Sequence, residues 1–178
     1  EQNSLTIRDR LRQLAPVLGF RLSEQTFTLD ANGKPRSEEL PGLVTRLAQA
    51  GVDLLYQSPD TFLNLLRDQL TGAALACNLP VFAASEAPVL KSAALMGVVN
   101  RYSEIGRLSA QKAARILFEN VVPADIPIEL PRRFSFLINM NTARHLERYP
   151  PLKLLDFAEL VGDAKAPLTS PASSPQCN

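Results

Sequence analysis

The sequence predicts an α/β fold, a doubly wound parallel sheet with helices on both faces, and three observations predict it. Segments of helical period alternate with short strand-like segments along most of the chain. Connections between them are short, so strands separated by one helix are expected to run parallel. The short strands are nearly continuous in apolar residues, as suits a sheet covered on both faces.

The elements follow in order. Asn3 or Ser4 suits a helix N-cap, and Ile7, Leu11, Leu14 and Leu18 then fall at helical spacing before a stop at Gly19. Phe20 to Leu29 alternates loosely and is rich in Phe, Thr and Leu, which predicts a strand. Asn32-Gly33 is turn chemistry. Ser37 caps a second helix, with Glu38 and Glu39 in its first turn and Leu40, Leu43, Val44 and Leu47 as its buried stripe. Val52 to Gln57 is a strand, Ser58-Pro59-Asp60 a turn and cap, and Thr61 to Cys77 a third helix. Pro80 to Ala84 and Ala93 to Val99 are strands around a short helix near Pro88 to Ser92. Tyr102 to Phe118 is a long helix, Phe134 to Asn139 a last strand and Thr142 to Arg148 a last helix. Residues 1–163 thus form one α/β domain, and residues 164–178, rich in Pro, Ser, Thr and Ala, are expected to be a disordered tail. The chain opens on a capped helix with no strand before it, so an N-terminal part is expected to be missing.

Composition removes several function classes. Nineteen Lys+Arg face eighteen Asp+Glu, too even a balance for a nucleic-acid surface. The absence of Trp and the presence of only three Tyr argue against a stacking platform for single strands. No apolar run reaches the ~18 residues of a membrane span. The eight glycines are never closer than nine positions apart, which excludes a dinucleotide fingerprint and a P-loop. His145 is the lone histidine, with no partner at metal-ligand spacing, and reads as a surface or helix-end residue. Cys77 reads as a buried helix-end residue, and two cysteines one hundred positions apart make no disulfide framework. No metal or organic cofactor is expected. No nucleophile–base constellation is visible, so no enzyme activity is expected either.

In open α/β sheets ligands bind beyond the carboxyl ends of the strands. Three polar segments fall there: Ser58, Asp60 and Thr61 after one strand, Ser85 and Glu86 after the next, and Asn100, Arg101 and Tyr102 after the third. Each also opens a helix, so each residue suits simple capping as well. As a set on one rim they are the candidate ligand-binding residues.

At the same segments the sequence resembles the extracytoplasmic solute-binding proteins of ABC transporters, in the group that includes aromatic-amino-acid binders. The matching stretches are Asn3-Ser4, Val52-Asp53-Leu54-Leu55-Tyr56 with Ser58-Pro59-Asp60, Leu79 to Glu86, Tyr102-Ser103-Glu104-Ile105-Gly106-Arg107, Pro123 to Pro127 and Ile138 to Ala143. They cover roughly residues 3 to 150 and correspond to the C-terminal half of such proteins. The resemblance implies a lobe of the type I periplasmic-binding-protein fold. It also implies a small solute held between two lobes, delivery to ABC permease subunits, and a periplasmic or membrane-anchored extracytoplasmic location. Two positions depart from the pattern. Arg101 stands where the family carries an Asp, and would favour an anionic group. Ser92 follows Lys91 where the family carries a Gly. Other readings of the same fold are a sensory or regulatory ligand-binding domain, a member that has lost small-molecule binding, and a small hydrolase or transferase. As an isolated half the chain is expected to bind solute weakly and to self-associate.

Overall fold

The computed structural model describes residues 2–131 and 133–162; the expected tail lies outside them. The helices are α1 (Gln2–Leu18), α2 (Leu40–Gln49), α3 (Thr61–Leu65), α4 (Arg67–Ala76), α5 (Glu86–Leu90), α6 (Tyr102–Phe118), α7 (Met140–His145) and α8 (Leu152–Leu155). The strands are β1 (Leu55–Gln57), β2 (Val81–Ala83), β3 (Met96–Val99), β4 (Ser135–Asn139) and β5 (Ala158–Val161). They form one sheet in the order β1-β2-β3-β4-β5. The α/β class stands, with three of the four pairings parallel.

The core lies where the strands meet α2, α4 and α5. Leu40, Leu43, Val44 and Leu47 are buried as the stripe of α2 predicts. Residues Leu70 to Leu75 of α4 are all buried. Val81, Ala83, Val89, Ala94, Val99 and Leu137 close the cluster around the sheet. Small residues let the layers approach. A Cβ added at Gly97 would lie 2.4 Å from the Ala83 carbonyl oxygen and 3.2 Å from Val89 Cγ2.

Several expectations need correction. The strand over Phe20 to Leu29 does not form; its only ladder contact is an isolated bridge from Leu29 to Pro35. A strand exists through its pairing, and no neighbouring strand pairs with this segment. Side chains hold it instead: Phe27 packs edge-on against Phe62 at 5.2 Å, Glu24 pairs with Arg12, and Thr28 donates its N–H to Glu39. The helix over Thr61 to Cys77 breaks at Leu66, whose φ of −93° and ψ of 12° leave the helical region. Helix α8 and strand β5 were not expected; their segments are too short to show a period. Cys77 is partly buried rather than buried, and it is disulfide-bonded. The sequence's other cysteine, Cys177, lies outside the described residues.

The sheet is also not parallel throughout: β4 runs antiparallel to β3, with Val99 opposite Ser135. A crossover helix that packs on the sheet returns the chain to the opposite edge. Helix α6 does not do this. None of its seventeen residues is buried, so the helix runs outward about 26 Å at 1.5 Å per residue, and Ser135 then begins β4 at the edge the chain left. Lys112 ties the outgoing and returning arms together. Its Nζ lies 3.3 Å from Glu129 Oε2 and donates to the Pro127 carbonyl.

Candidate functional site

Because β1, β2 and β3 are parallel, with Gln57, Ala83 and Gly97 in one register row, their carboxyl ends share one edge of the sheet. The eight residues singled out from the sequence all leave the sheet there. Six of them fall into two groups, around Asp60 and around Glu86, with no direct side-chain bond between the groups among the described residues, while Ser85 and Asn100 stand outside both.

The first group surrounds Asp60, which is only 6% exposed. Its Oδ1 accepts from Leu63 N at 3.1 Å, capping α3, and its Oδ2 accepts from Ser4 Oγ at 2.7 Å. Ser58 Oγ lies 3.4 Å from Ser4 Oγ. Thr61 follows as the exposed first residue of α3. The start of α1 is thereby drawn onto the rim, and Ser4 becomes part of the site's framework. The sequence reading gave Ser4 only a capping role.

The second group surrounds Glu86. Its Oε2 pairs with Arg101 Nε at 3.1 Å and its Oε1 accepts from Tyr102 N at 3.4 Å. Arg101 Nη1 reaches Glu159 Oε1 of β5 at 3.4 Å, an ion pair without hydrogen-bond geometry. One guanidinium between two carboxylates is already matched, so the expectation that Arg101 attracts an anion has no free charge behind it. Tyr102 is exposed at the start of α6. One turn on, Arg107 donates to Glu104 Oε2 at 2.7 Å and holds that carboxyl below its usual range.

The remaining polar atoms are less well served. Six buried side-chain atoms among the described residues have no hydrogen-bond partner: Gln57 Oε1, Asn64 Oδ1, Arg67 Nε, Ser85 Oγ, Asn100 Oδ1 and Arg101 Nη1. All six lie on the segments ending or following β1, β2 and β3. Gln57, 1% exposed, spends its amide N–H on the Leu63 carbonyl at 3.3 Å and leaves its oxygen unused. Burying an unpaired polar atom costs about 1–3 kcal/mol, and of these atoms Arg101 Nη1 alone has a charged neighbour, Glu159. Gln57, Asn64 and Arg67 were missed from the sequence. Gln57 had a signal, being a polar residue ending an otherwise apolar strand, whereas Asn64 and Arg67 look like ordinary surface positions of a helix. Beside them, burial pushes the Tyr56 phenol up from its usual value.

Other features do not compete for this role. Two open grooves, of about 300 and 430 Å³, lie along α6, the first beginning at Glu104. Their lining includes the Glu104–Arg107 and Lys112–Glu129 pairs, whose charges are already matched. His145 is exposed at the end of α7. No group of three or more metal-ligating side chains occurs among the described residues, and none of their helices is long and apolar enough to cross a membrane.

No family model and no curated protein matches the chain. Solved structures do. A conserved domain protein from Vibrio cholerae aligns with a TM-score of 0.74 at 23% identity, over 90% of this chain and 51% of that one. An ABC domain from Streptococcus pneumonia, in complex with L-Trp, aligns with a TM-score of 0.73 at 20% identity, over 90% and 51%. A substrate-binding protein with adhesive properties from Clostridium difficile, in its ligand-free open form, aligns with a TM-score of 0.69 at 24% identity, over 90% and 50%. The chain spans about half the length of these structures. What the likeness establishes is the fold, an α/β architecture of the kind found in substrate-binding proteins.

Proposed function

We propose that this chain is a solute-binding lobe without catalytic activity, and that its ligand sits on the rim at the carboxyl ends of β1, β2 and β3. The observation that carries this reading is that Gln57 Oε1, Ser85 Oγ and Asn100 Oδ1, one at the carboxyl end of each of β1, β2 and β3, are buried without a hydrogen-bond partner. Ser58, Thr61, Ser85, Asn100 and Tyr102, with Gln57, present hydroxyl and amide groups to the ligand. Asp60, Glu86 and Arg101, whose bonds are spent within the protein, shape the rim. A second lobe closes over the ligand, and contacts made to both lobes at once favour the closed form. Two observations support a second lobe. The chain aligns with about half of each similar structure, and α6 carries exposed apolar residues including Leu117 and Phe118, 70% and 81% exposed. The ligand is a small solute such as a free amino acid, as one structural neighbour holds L-Trp. Delivery of the solute to ABC permease subunits and an extracytoplasmic location complete the reading.

The test uses Ser85, whose hydroxyl is buried, unpartnered and makes no cap bond to α5. Ser85→Ala is expected to leave thermal stability unchanged or raised by about 1 kcal/mol, because an unsatisfied group is removed. The same variant is expected to weaken calorimetric binding of any amino acid that the parent chain takes up. Loss of stability with unchanged affinity would make Ser85 a structural residue and remove it from the site.

Exposure of the α6 face also predicts self-association of this chain at high concentration. Sedimentation velocity checks it. The expected result is a weight-average mass rising with concentration, suppressed by Leu117→Lys with Phe118→Lys.

A further inference from the structure

We infer that Arg101 is a positioning residue, the centre of an ionic latch that fixes the direction in which α6 leaves the sheet. The inference does not depend on the binding reading. Between β3 and β4 the chain follows an out-and-back path along α6. That path departs and returns at one edge, and α6 has no buried residue to hold it against the rest of the molecule. Its direction is therefore set where the arm joins the sheet, at Asn100 and Arg101 and at the return into β4, with Lys112 bracing the two arms against each other.

At the root three segments converge. Glu86, the first residue of α5, lies beside the β2 exit. Arg101 stands at the β3 exit, and Glu159 lies in β5, whose N-terminal end enters from the same edge because β5 is parallel to β4. Arg101 joins all three, with Nε 3.1 Å from Glu86 and Nη1 3.4 Å from Glu159. Glu86 holds the other side of the junction, accepting the Tyr102 backbone N–H that α6 itself leaves free. One carboxylate thus restrains both the guanidinium and the first turn of the helix. Glu86 and Arg101 side chains are 17% and 27% exposed, so salt screens this pair less than an open surface pair. The planar fork of arginine serves two acceptors on different segments; a lysine ammonium on a flexible stem does not hold the same angle.

The experiment measures direction rather than stability. Genetically encoded spin labels at Ala50, just after α2, and at Ser109, on α6, report the angle of the arm by double electron–electron resonance. Both positions are exposed, and Cys77 is left untouched. The unsubstituted 178-residue chain is expected to give one narrow distance distribution in low salt. Arg101→Gln and Glu159→Gln are each expected to broaden it, and the double variant to be no broader than Arg101→Gln alone, since both changes break one network. Arg101→Lys is expected to be intermediate. Glu86→Gln is expected to speed hydrogen exchange of the Tyr102 amide about fivefold, the scale of a lost cap, with the melting temperature little changed. A distribution that is already broad in the unsubstituted chain, or one that none of these changes broadens, overturns the latch.

Discussion

Replacing Asn139 with alanine is expected to lower stability by about 3 kcal/mol, the scale of several buried hydrogen bonds and a helix cap lost together. Asn139 is a buried polar residue at the end of β4. Its Nδ2 donates to the Val89 and Ser92 carbonyls, both at 3.1 Å. Its Oδ1 accepts from Asn141 N at 3.1 Å and Thr142 N at 3.2 Å, capping α7. One side chain therefore ties β4, α5 and α7 together. Thr142 adds a bond to the Ala93 carbonyl at 3.2 Å, and the Thr71 and Ser92 hydroxyls meet at 2.6 Å. For a chain of this size the loss corresponds to a melting temperature about 6–12 °C lower. Asn139→Asp is expected to be no better. It keeps the acceptor for α7 but sets a carboxylate against two carbonyl oxygens. Urea melts of the two variants check both statements, and full stability in Asn139→Asp would show that the cap alone matters.

Gly97→Ala is expected to cost about 2–3 kcal/mol, within the usual range for overpacking a filled core. The new methyl would fall 2.4 Å from the Ala83 carbonyl oxygen, a backbone atom fixed by the β2–β3 pairing. Relief requires the two strands to part. Gly106→Ala is the matched control, because nothing lies within 4 Å of its added Cβ. On a helix that change is expected to stabilise by about 0.5–1 kcal/mol. Thermal melts of the pair should move in opposite directions, and equal shifts would contradict the close approach of β2 and β3.

What could be read from the sequence was set by how local each cause is. The stripe Leu40, Leu43, Val44, Leu47 follows from periodicity and the parallel direction of β1, β2 and β3 from the single helices between them, and the structure keeps both. The rim followed too, since parallel strands place Ser58, Ser85 and Asn100 on one edge. Phe20 to Leu29 has strand composition, but strand formation depends on a pairing partner that composition cannot name. The direction of β4 depends on whether α6 packs on the sheet, and α6 has the same amphipathic pattern in either case. Arg101 illustrates the limit within the site. Its charge was visible, whereas Glu159, which helps to match it, sits 58 positions later on a strand too short to predict.

The most direct test of the central claim is a ¹⁵N–¹H correlation titration of the 178-residue chain with L-tryptophan and then a panel of other free amino acids. The method registers weak binding, so one open lobe is within its reach. The account predicts saturable shifts concentrated at Gln57 to Thr61, Ser85 to Glu86 and Asn100 to Tyr102, reduced in Ser85→Ala. Saturable shifts confined to the grooves along α6, or none with any solute of the panel, would contradict it.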